Sequence, residues 1–183
     1  EVSAADAVFV ALPEKAKKAT AIMMRQRQVA IDCGCASEIG PRSKQEDNLI
    51  NSERDCVWGV FDGHRGSEAA TFSSNFFLDH LDLTASCPGQ EMAGCLQHIE
   101  ASMRANHIGR NCGTTACVAR MIRQTHMLYV ANLGDSRAVL FSTKASKILA
   151  KIVTEDHRAD SAREARRLQT EGADVLCGRF GGE

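Results

Sequence analysis

Residues 56–64 read Cys56-Val57-Trp58-Gly59-Val60-Phe61-Asp62-Gly63-His64. An uncharged apolar run ends abruptly in Asp-Gly, which predicts a buried strand running into a turn. Two helices are expected beyond it. Ala69, Phe72 and Phe76 recur at helical spacing behind Ser67, a residue type that caps helix starts. Met92, Cys95, Leu96, Ile99 and Met103 form a second apolar stripe, and Cys87-Pro88-Gly89 breaks the chain between the two.

Strands are expected again at Thr115–Met121, Met127–Asn132, Arg137–Ser142 and Ile148–Val153, where apolar or β-branched runs alternate with polar turns such as Gly134-Asp135. Ser161 and Glu164 have capping-box spacing for a last helix, Gly172 stands where a helix ends, and Val175–Cys177 begins a further strand. Upstream, Val29–Cys35 mixes apolar and small residues before the break at Gly40-Pro41. The first 28 residues, alanine-rich with Lys15, Lys17 and Lys18 clustered, read as an N-terminal arm or helix without chemistry of its own. Residues 29–183 read as one domain. Strands, then a helix pair, then strands again is α+β organisation, with antiparallel pairing because the links are short. The β segments are compatible with two packed sheets, which composition alone does not decide.

The chain has 183 residues, enough for one domain with a sizeable core. Hydrophobic residues at 44% and charged residues at 25% match a globular protein. A formal net charge of -1 gives no general attraction to nucleic acid or acidic lipid. No apolar run reaches the roughly 18 residues of a membrane span, and the N-terminus lacks a signal-peptide pattern. Eight cysteines occur without a C-x-x-C pair or a zinc-like cluster. They read as buried thiols in a reducing, intracellular compartment, cytoplasmic or nuclear.

Three segments place polar groups where apolar strands end. Arg42-Ser43-Lys44-Gln45-Glu46-Asp47 puts a guanidinium four residues before two adjacent carboxylates. Asp62-Gly63-His64 follows the apolar run, and Asn132-Leu133-Gly134-Asp135-Ser136-Arg137 joins two strands. Carboxylate oxygens on rigid elements suit a hard divalent ion such as Mg²⁺ or Mn²⁺. A glycine beside such an aspartate lets the backbone approach closely. An arginine fork matches phosphate oxygens. Singly, each feature has a plainer reading: a turn, a solvated acidic pair, a structural histidine.

Their order carries more. Gly40-x-Arg42-x-x-x-Glu46-Asp47, then Val60-Phe61-Asp62-Gly63-His64-x-Gly66, Gly113-Thr114-Thr115-Ala116 and Ala131-Asn132-x-Gly134-Asp135-Ser136-Arg137-Ala138 resembles the signature series of the type 2C, metal-dependent (PPM) protein phosphatases. Thr154-x-Asp156-His157, Glu164-x-x-Arg167-Leu168 and Gly172-x-x-Val175 continue it, so the resemblance covers residues 29 to 180. It implies a sandwich of two antiparallel sheets flanked by helix pairs. It also implies hydrolysis of phosphoserine and phosphothreonine on protein substrates by a metal-activated water, without a covalent phosphoenzyme. Asp62 resembles the carboxylate bridging two Mn²⁺ or Mg²⁺ ions, and the Gly63 carbonyl resembles a ligand of one. Glu46 and Asp47 resemble the pair holding metal-bound waters, and Asp135 an aspartate linked to a third metal. Arg42 resembles the phosphate clamp and His64 the general acid; an imidazole titrates near neutrality, which suits that task.

The family pattern continues past residue 183 with two further aspartates that complete the second metal position, and Asp160 and Asp174 do not replace them. The expectation is therefore an incomplete domain, monomeric, with open sheet edges and weak metal binding. Arg65 stands where small residues are common. The alternative to an enzyme is a catalytically inactive member of the same fold that binds phosphoproteins or another partner; a structural Mg²⁺ or Mn²⁺ sensor is the third reading.

Overall fold

The computed structural model describes residues 31–144, 147–170, 172, 175–176 and 179–180; the expected N-terminal arm lies outside them. Strand β1 (Asn48–Ser52) turns into β2 (Val57–Phe61), the expected apolar strand. A two-residue strand, β3 (Gly63–His64), follows, then helices α1 (Glu68–His80) and α2 (Pro88–Ala105). Next come β4 (Gly113–Thr114), β5 (Ala116–Ile122), β6 (Met127–Leu133), β7 (Val139–Lys144) and β8 (Lys147–Ile152). Helix α3 (Ala162–Thr170) and short strands β9 (Val175–Leu176) and β10 (Arg179–Phe180) follow.

The main sheet has order β1-β2-β5-β6, antiparallel throughout. The β2 run that reads as uniformly apolar alternates in space. Val57, Gly59 and Phe61 are buried, while Val60 on the other face is 43% exposed. The Val57/Phe61 face joins Ile50, Ala116, Val118 and Ala131 against Phe77 of α1 and Met92, Leu96 and Ile99 of α2. Each such large side chain contributes about 1.5–3 kcal/mol through removal from water, which makes this helix-covered face the main core. On the opposite face Cys117 and Val130 pack with Val153, and Leu140 of β7 leans on them. The expected second sheet is therefore present as the β7–β8 hairpin.

Several local expectations change in detail. Ile31 to Ile39 is irregular, so the described part of the Val29–Cys35 stretch forms no strand. Strand β1, polar at both ends, is not foreseen. Ser67 occupies the α1 cap position, but its side chain makes no capping bond. The expected stripe of α1 faces the core, with Ala69 buried and Phe72 and Phe76 partly buried against it, but Phe77, not foreseen, is the large side chain that enters it; the Phe76 ring stacks on His80 at 3.7 Å. Pro88 is the first residue of α2, where a missing N–H costs nothing, so the expected breaker is a helix start. Half of the capping box forms: the Glu164 N–H donates to Ser161 Oγ at 3.3 Å, while the Glu164 carboxylate accepts two bonds from Arg167. Gly172 lies at φ +80, the left-handed turn that ends a helix. Of the cysteines, Cys56, Cys95 and Cys117 are buried free thiols, whereas Cys35 and Cys87 are exposed.

Candidate metal and phosphate site

The site candidates meet at one end of the main sheet. Strand β2 delivers Asp62 rigidly because Phe61 beside it is wholly buried. The next peptide is fixed by close approach. A β-carbon built on Gly63 would stand 2.1 Å from the Glu46 carbonyl oxygen, so only glycine lets these backbones touch. The Gln45 side-chain oxygen accepts the N–H groups of Glu46 and Asp47 at 3.0 and 3.3 Å, shaping the acidic turn locally.

The Asp62 carboxyl is pushed above its ordinary value. Partial burial is the largest cause, followed by the charge of Asp47 and a hydrogen bond with it, and then by the charge of Asp135. Arg42 acts in the opposite direction. Three other expected residues, Arg42, Asp47 and Asp135, thus lie within electrostatic reach of Asp62 at the end of β2. Glu46 contributes its backbone to the same place. His64 lies on β3, exposed, with its ring over Gly113 on the neighbouring strand. A β-carbon at Gly113 would meet His64 Nε2 at 2.6 Å.

Asp135 sits on a turn tied down from several directions. Gly134 has φ +93, and its N–H donates to His157 Nδ1 at 3.3 Å. Its carbonyl accepts the His157 N–H at 2.9 Å and the Asn132 side-chain amide at 3.2 Å. Arg137 grips Asp156 through two bonds, of 3.0 and 2.5 Å, which hold the Asp156 carboxyl below its usual range. The Asp135 carboxylate itself faces Arg158 at 3.6 Å. Asp160 is engaged by the same arginine. These ties account for the Thr154-x-Asp156-His157 segment, whose role the sequence left unassigned.

Oxygen donors of this kind suit a hard divalent cation. A cation would also relieve the like-charge repulsion that raises Asp62. The donors are adjacent without forming a closed shell: among the described residues no three Asp, Glu, His or Cys side chains stand together closely enough to hold an ion. Sequence reasoning missed Gln45, Thr115, Ser136 and His157, which hold the candidates in place. Gln45 acts on its own neighbours, whereas the bonds of Thr115, Ser136 and His157 join segments far apart in the chain.

The pattern described as protein phosphatase 2C matches residues 20–183. The probable protein phosphatase 2C 52 of Oryza sativa subsp. japonica is 30% identical over 161 residues, covering 80% of this chain and 31% of that protein. The probable protein phosphatase 2C 69 of Arabidopsis thaliana is 32% identical over 154 residues, covering 78% and 42%. The chain thus spans about a third to two-fifths of these relatives. Among solved structures, a phosphatase from a pathogenic strain of Toxoplasma gondii aligns with a TM-score of 0.60 at 17% identity, over 77% of this chain and 57% of that one. A Caenorhabditis elegans sex determining protein aligns with a TM-score of 0.57 at 22% identity, over 76% and 38%. These structural likenesses speak for the fold, while the pattern covering most of the chain speaks for descent: the chain belongs to the protein phosphatase 2C family.

Proposed function

We propose that this chain carries the first part of a metal-dependent site that hydrolyses phosphoserine and phosphothreonine esters on proteins. The observation that carries the reading is the convergence on Asp62. Partial burial, and then Asp47 and Asp135, raise its carboxyl, Arg42 acts against them, and Gly63 brings its own backbone against Glu46. Three acidic groups crowded beside one arginine are unfavourable for an empty protein surface and favourable for a cation with a phosphate.

The carboxylates of Asp62, Asp47, Asp135 and Glu46 and the carbonyl of Gly63 are the oxygens that would hold Mg²⁺ or Mn²⁺, once drawn together around the ion. When bound there, such a cation would supply Lewis-acid activation of water. Arg42 donates from its planar fork to the phosphoryl oxygens, orienting the ester and offsetting charge as it builds. His64, exposed on β3, gives a proton to the departing serine or threonine oxygen. Its ring lies over Gly113, so the imidazole has a fixed seat from which to reach the leaving group.

The test is Mn²⁺-dependent phosphate release from a phosphothreonine peptide, with Asp62→Asn as the control. Release that needs both Mn²⁺ and Asp62 supports the reading. Peptide binding that persists in the variant, with no phosphate released by either protein, replaces it with a phosphoprotein-binding module.

A further inference from the structure

Strands β2–β3 and β4–β5 run antiparallel in one continuous register, with Val60 opposite Cys117 and Gly63 opposite Thr114. Asp62 therefore stands opposite Thr115, but the ladder changes there. The Thr115 N–H donates to the Asp62 carbonyl at 2.9 Å, as an antiparallel rung requires. The returning bond goes elsewhere: the Asp62 N–H donates to Thr115 Oγ1 at 3.1 Å. A side-chain hydroxyl has replaced a backbone carbonyl as the acceptor, and the Thr115 carbonyl accepts the Thr114 hydroxyl instead, at 2.9 Å.

The same oxygen has a second partner. Thr115 Oγ1 lies 2.5 Å from Ser136 Oγ, on the turn that carries Asp135. A hydroxyl has two acceptor sites and one proton, so it serves the Asp62 N–H and Ser136 together without conflict. The Thr115 methyl is also engaged, because a β-carbon on Gly134 would meet it at 2.7 Å. Thr115 thus touches both carboxylate-bearing segments, one through its hydroxyl and the other through hydroxyl and methyl.

We propose that Thr115 is a positioning residue whose hydroxyl fixes the Asp62 backbone and the Asp135 turn relative to one another, so that cation binding at Asp62 depends on it. The dependence on cation binding rests on the functional reading above; the mechanical tie does not. Thr115→Val keeps the shape and methyl packing but deletes the hydroxyl, whereas Thr115→Ser keeps the hydroxyl and deletes the methyl. Ser136→Ala cuts only the second tie.

The experiment measures amide hydrogen exchange by NMR in the metal-free chain, and Mn²⁺ affinity by calorimetry, for all three variants. Thr115→Val is expected to speed exchange at the Asp62 amide and to weaken Mn²⁺ binding by about tenfold, the worth of one hydrogen bond. Thr115→Ser is expected to restore both. Ser136→Ala is expected to speed exchange in residues 134–136 while the Asp62 amide stays protected. If Thr115→Val fails to fold, the Ser136→Ala result alone decides the tie, and unchanged exchange at 134–136 overturns it. A Thr115→Ser chain that behaves like Thr115→Val also overturns it, leaving methyl packing as the operative contact. Absence of Mn²⁺ uptake by the unmodified chain overturns the cation reading of Asp62, while the exchange data still decide the tie.

Discussion

Gly63 and Glu46 are in backbone contact: a β-carbon on Gly63 would lie 2.1 Å from the Glu46 carbonyl oxygen and 3.0 Å from its carbon. Main-chain atoms, unlike the end of a long side chain, cannot move aside cheaply. Gly63→Ala is therefore expected to force the acidic turn away from β2, at a cost of about 1–3 kcal/mol, typical of overpacking. Urea unfolding of the variant checks this. A midpoint equal to that of the unmodified chain contradicts the contact.

Asp62→Asn should separate function from stability. The Asp62 carboxyl is raised above 3.8, chiefly by partial burial and then by Asp47 and Asp135, so the fold disfavours its ionised form. The stabilising contribution of a raised acid is complete below the unfolded value and is lost as pH rises through the folded one. At pH 7 without metal, an uncharged asparagine relieves that penalty. The variant is expected to be at least as stable as the unmodified chain and to lose Mn²⁺ response. Paired denaturation curves at pH 7 with and without Mn²⁺ measure both effects; a variant clearly less stable without metal contradicts the crowding.

The family resemblance and most strand and helix positions after residue 56 were legible because they are written in contiguous stretches of sequence. The apolar run before Asp62, the stripe from Met92 to Ile99 and the left-handed Gly172 all act within a few residues of themselves. What stayed hidden is long-range. Thr115 stands in the Gly113-Thr114-Thr115-Ala116 motif without a role until register places it opposite Asp62, 53 positions away. Arg120, inside the strand expected at Thr115–Met121 and given no role there, is 3% exposed and donates to the carbonyls of Asp82 and Leu83, pinning the link between the two helices. Glu164 has capping-box spacing, but a charged partner one turn along gives its carboxylate a stronger bond than a backbone N–H does.

That Glu164–Arg167 pair sets an acid limb of opposite sign to Asp62. Both side chains are mostly buried, and two bonds from Arg167 hold the Glu164 carboxyl below 4.5 despite a burial effect that pushes it up. A depressed acid contributes stability above its unfolded value and loses it as pH falls through the folded one. Asp156, held down by Arg137, adds to the same limb. Glu164→Gln is expected to cost about 1–2 kcal/mol at pH 7, the scale of a charge-assisted hydrogen bond, and to flatten stability below pH 4.5. Thermal melts of both proteins from neutral pH down through the acid limb below 4.5 check it. Parallel acid limbs for variant and parent rule the pair out as their source.

The β7–β8 hairpin makes the last prediction. Its register places Val139 opposite Ile152, and Phe141 opposite Ala150, with Ile148 further along the same face. The opposite face sends Leu140 into the small cluster with Cys117 and Val130. The outward face therefore carries only apolar side chains at these positions, with Phe141 65% and Ile148 73% exposed. Contiguous apolar surface binds hydrophobic dyes and promotes association, whereas charge placed there does neither. Phe141→Lys with Ile148→Lys is expected to lower anilinonaphthalene sulfonate fluorescence and to raise the solubility limit. Because neither side chain contributes to the core, the denaturation midpoint should move by less than about 0.5 kcal/mol in stability. Dye binding that survives both substitutions would locate the exposed apolar surface elsewhere in the chain. A large loss of stability would mean that this face is covered in solution.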